Sequence, residues 1–215
     1  KLEESAGSDE SIRPELRKFM EGRRILVAGS TAPGEESIVL SAYRELCGRY
    51  PDLALVIAPR HIERTGEIER MMRAESIQYC KASALDGDVG DTGILVLDTM
   101  GELRGLYYRA AIAFIGGSLV PGRGGQSPAE AAVAAVPVLI GPHHENQTEI
   151  VMTLVKVGAA RIVRAAGEIV RECAKFLDDE STRVTASLAA REASRQMAGG
   201  ARRVVAEIEK LLGAR

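Results

Sequence analysis

Two glycine clusters between an apolar stretch and a helix start give this chain a place to hold an anion. Ala113-Phe114-Ile115-Gly116-Gly117-Ser118-Leu119-Val120 is followed by Gly124-Gly125-Gln126-Ser127-Pro128-Ala129-Glu130. Glycines let backbone amides approach a ligand, and a helix start offers unpaired N–H groups at the positive end of the dipole. That combination suits a phosphate, which would lie on the amides near Gln126–Ala129. Ser127, Pro128 and Glu130 also fit a cap, a first turn and a capping-box partner. Glu130 therefore has two readings, as helix cap or as acceptor for ribose hydroxyls. The spacing departs from G-x-G-x-x-G and comes late in the chain, which argues against NAD.

Four further segments carry suggestive residues. Gly29-Ser30-Thr31-Ala32-Pro33-Gly34-Glu35-Glu36 reads either as helix initiation, with Thr31 or Ala32 as cap and the two glutamates on the dipole, or as a ligand loop with hydroxyls and free amides. Arg60, in Pro59-Arg60-His61, is a solvated cation or a fork for a phosphate or carboxylate. In Asp98-Thr99-Met100-Gly101-Glu102-Leu103 the Thr99/Glu102 spacing is that of a capping box, and the exposed turn offers backbone groups to the edge of a base. Gly141-Pro142-His143-His144-Glu145-Asn146 invites a metal reading, but adjacent histidines do not converge easily on one ion and His61 has no evident partner. No metal is expected; Glu145 and Asn146 are read as starting a helix, available to a sugar.

The elements that position these segments are legible as well. Six continuous apolar runs, Ile25–Ala28, Leu53–Ala58, Ile94–Leu97, Ala111–Ile115, Val136–Ile140 and Ala159–Val163, are of the kind covered on both faces of a sheet. Between them lie helical patterns: Ser37–Tyr50, Ile62–Ala74, Glu102–Arg109, Pro128–Ala135, Glu145–Val157 and Gly167–Leu177, with a helical tail over Thr182–Leu212 broken at Gly199-Gly200. The alternation predicts an α/β fold with a parallel six-stranded, Rossmann-like sheet and helices on both faces. Residues 1–23 read as a linker with one helix over Pro14–Glu21, 24–215 as the nucleotide-binding domain, and Lys81–Gly93 as an exposed loop.

Composition narrows the function. The 215 residues are 46% hydrophobic and 4% aromatic with no Trp, so the core is aliphatic. A formal charge of −2 lacks the basic excess of a nucleic-acid binder. No apolar run is long enough to span a bilayer, and no signal peptide opens the chain. The three cysteines match no zinc spacing and fit a reducing compartment. The chain starts at Lys1 rather than Met, pointing to a fragment or a processed product with a partner half outside it.

Taken together and in order, the segments at Gly29–Glu36, Pro59–His61, Asp98–Leu103, Gly116–Val120 and Gly141–Asn146 resemble the carboxy-terminal half of the 3-deoxy-D-manno-octulosonic acid (Kdo) transferases of lipopolysaccharide synthesis. The resemblance runs from Arg24 to Leu212, and Lys1-Leu2-Glu3 resembles the segment after the interdomain hinge. It implies one half of a GT-B glycosyltransferase, whose donor substrate is CMP-Kdo and which needs no cofactor or metal at the donor phosphate. The other half would bind the lipid A precursor, supply the catalytic carboxylate and provide membrane association, at the cytoplasmic face of the bacterial inner membrane. Carried over by similarity, Arg60 contacts the CMP phosphate and stabilises it as it leaves. Met100 and Gly101 lie near the cytosine, and Gly117 and Ser118 approach the sugar or phosphate. Glu130 holds ribose, Glu145 and Asn146 lie near the donor sugar, and Ser30, Thr31, Gln126 and Ser127 complete the donor site. The family commonly has His, Asn and Leu at Gln126, Ser127 and Ala129, His at Ala32, and Thr and Phe at His144 and Gln147.

Two alternatives stay open on the residues themselves. One is another GT-B enzyme acting on a UDP-sugar, a transferase or an epimerase. The other is a non-catalytic nucleotide-binding or assembly module whose loops serve as caps.

Overall fold

The computed structural model describes residues 12–85 and 92–213, with side chains described as far as residue 198. Among these residues seven strands form one parallel sheet: β1 (Arg24–Thr31), β2 (Leu53–Pro59), β3 (Cys80–Lys81), β4 (Ile94–Val96), β5 (Ile112–Ile115), β6 (Val138–Ile140) and β7 (Ala160–Ile162). Their order is β3-β4-β2-β1-β5-β6-β7. Each of the six apolar runs is a strand. The seventh, β3, is two residues long and only half-buried, so no apolar run announces it. It opens the segment read as an exposed loop, and a short 3-10 turn at Ala82–Ala84 with Ala82 buried follows it. Residues 86–91 of that segment lie outside the described residues.

Strand residues alternate between two cores, because successive side chains point to opposite faces of a sheet. Ile25, Val27, Ala54 and Val56 join one core with Leu16 and Phe19 of α1 (Pro14–Met20), Leu106 of α4 (Leu103–Tyr107), Ala131 of α5 (Ala129–Val133) and Leu154 of α6 (Thr148–Lys156). Leu26, Ala28, Leu55 and Ile57 join the other with Val39 and Leu46 of α2 (Glu35–Cys47), Ile68 of α3 (Thr65–Ala74) and Phe176 of α7 (Ala166–Asp178). The described part of the segment read as a linker therefore belongs to the domain. Leu16, Phe19 and Met20 recur at helical spacing and are buried, with Leu16 and Phe19 at 0% exposure. Full burial of such side chains is worth about 1.5–3 kcal/mol each, which holds the segment down.

The last helix, α8 (Glu180–Gly213), is continuous through Gly199 and Gly200, contrary to the expected break. Glycine costs about 1 kcal/mol relative to alanine in a helix, and the helix formers flanking the pair, Gln196-Met197-Ala198 and Ala201-Arg202-Arg203, carry the helix through. It starts two residues earlier than expected because Asp179 caps it. The Asp179 carboxylate accepts bonds from the Ser181 amide (2.9 Å) and hydroxyl (2.8 Å) and from the Thr182 amide (3.2 Å) and hydroxyl (2.7 Å). The Thr182 and Ser181 hydroxyls are the main reason its pKa falls to about 2. A depressed carboxyl contributes stability above its unfolded value, and that contribution is lost as pH falls through about 2. Asp179→Ala is therefore expected to lower Tm at neutral pH, with the gap to the parent protein closing between pH 4 and pH 2. A gap that does not narrow would show that the carboxylate is not the cap.

The sheet order places the site. From β1 the chain passes to β2, on to the edge strand β3 and back to β4 between them, then crosses over so that β5 lies on the opposite side of β1. In open parallel sheets, ligands lie in the crevice that such a reversal opens beyond the carboxyl ends of the strands.

Candidate functional site

At that reversal a cleft of about 330 Å³ opens, lined by Ser30, Thr31, Ala32, Pro33, Arg60, His61, Gly117, Gly122, Arg123 and Gln126. It brings together Ser30, Thr31, Arg60, Gly117 and Gln126 from the sequence-derived set. His61 and Arg123 are cleft residues that the sequence analysis did not assign to the site.

The loops around the cleft are built by close backbone approach. A Cβ on Gly116 would stand 2.4 Å from the Ser30 carbonyl oxygen, and one on Gly141 would stand 2.0 Å from that of Ser118. These glycines bring loop to loop rather than loop to ligand. Gly141→Ala should lower stability by roughly 3 kcal/mol, at the upper end of overpacking costs because the atom in the way is backbone; chemical denaturation measures it, and a loss under 1 kcal/mol would refute the contact. Ser30 holds φ at 55°, unusual for a residue with a side chain, where the β1–β2 register slips between Gly29 and Thr31.

A buried carboxylate organises the same loops. Glu35 is 0% exposed. Its Oε2 accepts from the amides of Ala32 (2.8 Å) and Gly117 (2.7 Å), and its Oε1 from those of Ser118 (2.8 Å) and Leu119 (2.7 Å). The amides of the first glycine cluster are thus turned onto a side chain of α2 rather than toward a ligand. Gly34, with φ at 91°, precedes the helix in place of the expected Thr31 or Ala32 cap.

Next to it Glu36 receives the Thr31 hydroxyl (2.8 Å) and the Arg64 guanidinium (2.8 and 3.3 Å). Arg64 also donates to the Thr31 carbonyl at 3.3 Å, and the Arg60 amide donates to it at 3.0 Å. The loops after β1 and β2 are locked to each other by these bonds, and the Arg60 side chain is left exposed in the cleft.

The remaining sequence-derived residues fall into three groups. Ser118 is 0% exposed; its hydroxyl donates to the Ile115 carbonyl (2.5 Å) and accepts from the Gly141 amide (2.8 Å), so it ties the loops after β5 and β6. Like the Thr31 hydroxyl, which donates to Glu36, the Ser118 hydroxyl is engaged inside the protein.

Met100 and Gly101 form the tip of the turn after β4, outside the cleft lining, with Met100 84% exposed and Gly101 at φ 84°. Thr99 bonds Glu102 directly, and Glu102 also receives Arg13 at 2.6 Å; neither caps a helix backbone, which corrects the capping-box reading.

Ser127 is exposed and its hydroxyl accepts from the Ala129 amide at 3.3 Å. The Gln126 amide donates to the Gly116 carbonyl at 3.0 Å, so the amides expected to meet a phosphate between Gln126 and Ala129 include two with protein acceptors. Glu130 is exposed in the first turn of α5. Glu145 and Asn146 lie on a 3-10 turn, Glu145–Gln147, that precedes α6. The Asn146 side-chain amide donates to the Arg123 carbonyl (3.3 Å), and its backbone amide donates to that of Gly124 (2.9 Å).

His144 donates from Nδ1 to the Gly141 carbonyl at 3.0 Å while His143 lies 3.7 Å from Glu145, so the adjacent histidines diverge. Among the described residues no three metal-ligating side chains converge.

No family model matches the chain. A 3-deoxy-D-manno-octulosonic acid transferase of Haemophilus influenzae is 34% identical to it over 166 residues, covering 77% of the chain. The chain is a relative of the Kdo transferases. It spans 39% of the length of that relative. Consistent with the relationship, its fold matches the carboxy-terminal CMP-Kdo binding domain of WaaA from Acinetobacter baumannii with a TM-score of 0.79 at 25% identity, over 87% of this chain and 97% of that one. The fold is therefore that of a GT-B half, with seven strands where the sequence reading has six. The UDP-GlcNAc 2-epimerase of Neisseria meningitidis shares the fold at a TM-score of 0.56 and 15% identity, over 86% of this chain and 45% of that one.

Glu35 and Arg123 both went unassigned, the first for a physical reason. Glu35 was legible as an acidic residue at a helix start, but its reach to a loop more than eighty positions away depends on the β1–β5 pairing. Arg123 did have a signal, since it is a cation flanked by Gly122, Gly124 and Gly125.

Proposed function

We propose that this chain is the donor-binding half of a glycosyltransferase that moves Kdo from CMP-Kdo to a lipid A precursor. The observation that carries the reading is the Arg60 guanidinium, which lines the cleft at the strand ends and has no ion-pair or hydrogen-bond partner among the described residues. A cation left unpaired where the sheet opens its crevice is suited to a phosphate. The relationship to Kdo transferases and to a CMP-Kdo binding domain supports CMP-Kdo as the phosphate ester.

In this reading the bond from the anomeric carbon to the CMP phosphate breaks with oxocarbenium-like character, and negative charge grows on the leaving phosphate. Arg60 stabilises that charge more in the transition state than in the ground state. Exposed Met100 and Gly101 offer backbone groups to the cytosine, Glu130 a carboxylate to the ribose, and Gln126 a side-chain amide at the phosphate. A carboxylate from the other half takes the proton of the acceptor hydroxyl. Membrane association, at the cytoplasmic face of the inner membrane, is assigned to that half as well; among the described residues no helix is long and apolar enough to cross a membrane.

Calorimetry on this chain with CMP and UMP tests the reading. Saturable CMP binding, stronger than UMP, is expected, with no transfer by the isolated chain. Preference for UMP would point to a UDP-sugar enzyme, and absence of nucleotide binding would point to an assembly module.

A further inference from the structure

We infer that Arg123 is the second anion-recognising arm of the cleft and selects the donor by its sugar carboxylate. The inference rests on the CMP-Kdo reading above. It starts from a count of charges: a nucleotide ester of an octulosonic acid carries two separate anions, the phosphate and the carboxylate of the sugar. The cleft holds two exposed guanidinium groups, Arg60 and Arg123, and among the described residues neither has an ion-pair or hydrogen-bond partner. By contrast, the neighbouring Arg64 is closed onto Glu36.

Arg123 is held in place although its side chain is exposed. Its carbonyl accepts the Asn146 side-chain amide at 3.3 Å, and the next carbonyl, of Gly124, accepts the Asn146 backbone amide at 2.9 Å. A Cβ on Gly124 would stand 2.2 Å from the Asn146 side-chain nitrogen, so this contact is close. The turn after β6 thereby fixes the backbone from which Arg123 reaches into the cleft.

The sheet order assigns the two arms. The exposed Met100–Gly101 turn follows β4, Arg60 follows β2, and Arg123 follows β5, in a sheet ordered β4-β2-β1-β5-β6 through this region. A donor with its base at the Met100 turn meets Arg60 before Arg123, which places the phosphate on the first and the sugar acid on the second. A planar fork of N–H donors suits a carboxylate bidentately. Asn146 is then a positioning residue that acts through the Arg123 backbone.

The test is calorimetry on the whole chain with two probes, CMP and CMP-Kdo, for the parent protein and for Arg123→Ala, Arg123→Gln and Arg60→Ala. Arg123→Ala and Arg123→Gln are expected to weaken CMP-Kdo about tenfold or more, the loss of a charged hydrogen-bonded pair, and to leave CMP within about twofold. Arg60→Ala is expected to weaken both probes. Equal losses of CMP and CMP-Kdo in the Arg123 variants, or no loss in either, overturn the assignment. If the parent protein binds neither probe, the CMP-Kdo reading itself fails, a result distinct from parent binding that Arg123 variants retain. Thermal unfolding of each variant verifies that it is folded; Arg123 is exposed, and among the described residues its guanidinium has no hydrogen-bond or ion-pair partner to lose.

Discussion

Glu35→Gln is expected to destabilise the domain by about 2–6 kcal/mol and to weaken CMP binding with it. The substitution is nearly isosteric, so size does not explain the effect. Both carboxylate oxygens accept two amides each, from Ala32 and Gly117 on one side and Ser118 and Leu119 on the other. A carboxamide has one oxygen and one NH2 group. Whichever way it is turned, the NH2 faces two N–H donors, and two buried amides lose their acceptor at about 1–3 kcal/mol each. Because domains are stable by only about 5–15 kcal/mol, the loss should be visible as a large fall in the denaturant midpoint. Glu35→Asp, which keeps two oxygens and shortens the reach, should recover part of it. A Glu35→Gln variant within 1 kcal/mol of the parent would mean that the carboxylate does not hold the loop. CMP binding, measured where the variant is still folded, separates the two consequences. A looser loop after β5 weakens the nucleotide beyond what the lost folding population explains.

Arg60→Ala should reduce CMP affinity by about 10- to 100-fold with little change in stability. Its guanidinium is exposed and has no protein partner among the described residues, so the fold loses no interaction with it. A hydrogen bond to a charged group is worth about 1.5–3 kcal/mol, which converts to that range of affinity. Arg60→Lys should recover only part, because an ammonium is a point charge and cannot present a planar fork. The site is open to solvent, so the parent's affinity should fall as salt rises, and the salt dependence should be shallower in Arg60→Ala. Unchanged CMP affinity in Arg60→Ala would remove the central element of the proposed mechanism. Arg64→Ala is the control with the opposite profile: it breaks the buried pair with Glu36, so it should cost stability, and it affects CMP through the loops after β1 and β2.

Periodicity and local chemistry already contained most of the fold. Continuous apolar runs such as Leu53–Ala58 can be buried on both sides, and a parallel sheet with helices on both faces follows from six of them separated by helical patterns. Pro14 at a helix start and the spacing of Leu16, Phe19 and Met20 were equally local, although their burial, which joins the segment to the domain, was not. Local signals ran out where length was short or where neighbours outweighed preference, as at Cys80–Lys81, which is a strand because β4 pairs with it, and at Gly199-Gly200, which stays helical within α8.

The loops that could hold an anion were likewise visible from glycine, arginine and hydroxyl residues at strand ends. Which of their polar groups remain available was not. A hydroxyl or an amide reads the same in sequence whether it faces a cleft or a buried partner. Thr31 turns to Glu36, Ser118 bridges two strand ends, and the Gly117–Leu119 amides close on Glu35, while Arg60 and Arg123 stay open. The Ser118 and Glu35 pairings join residues more than twenty positions apart, and buried polar groups must find partners wherever the fold brings them. Residue types could specify that charge and amides gather at the strand ends; the packing of β1 against β2 and β5 settles which of them the protein itself satisfies.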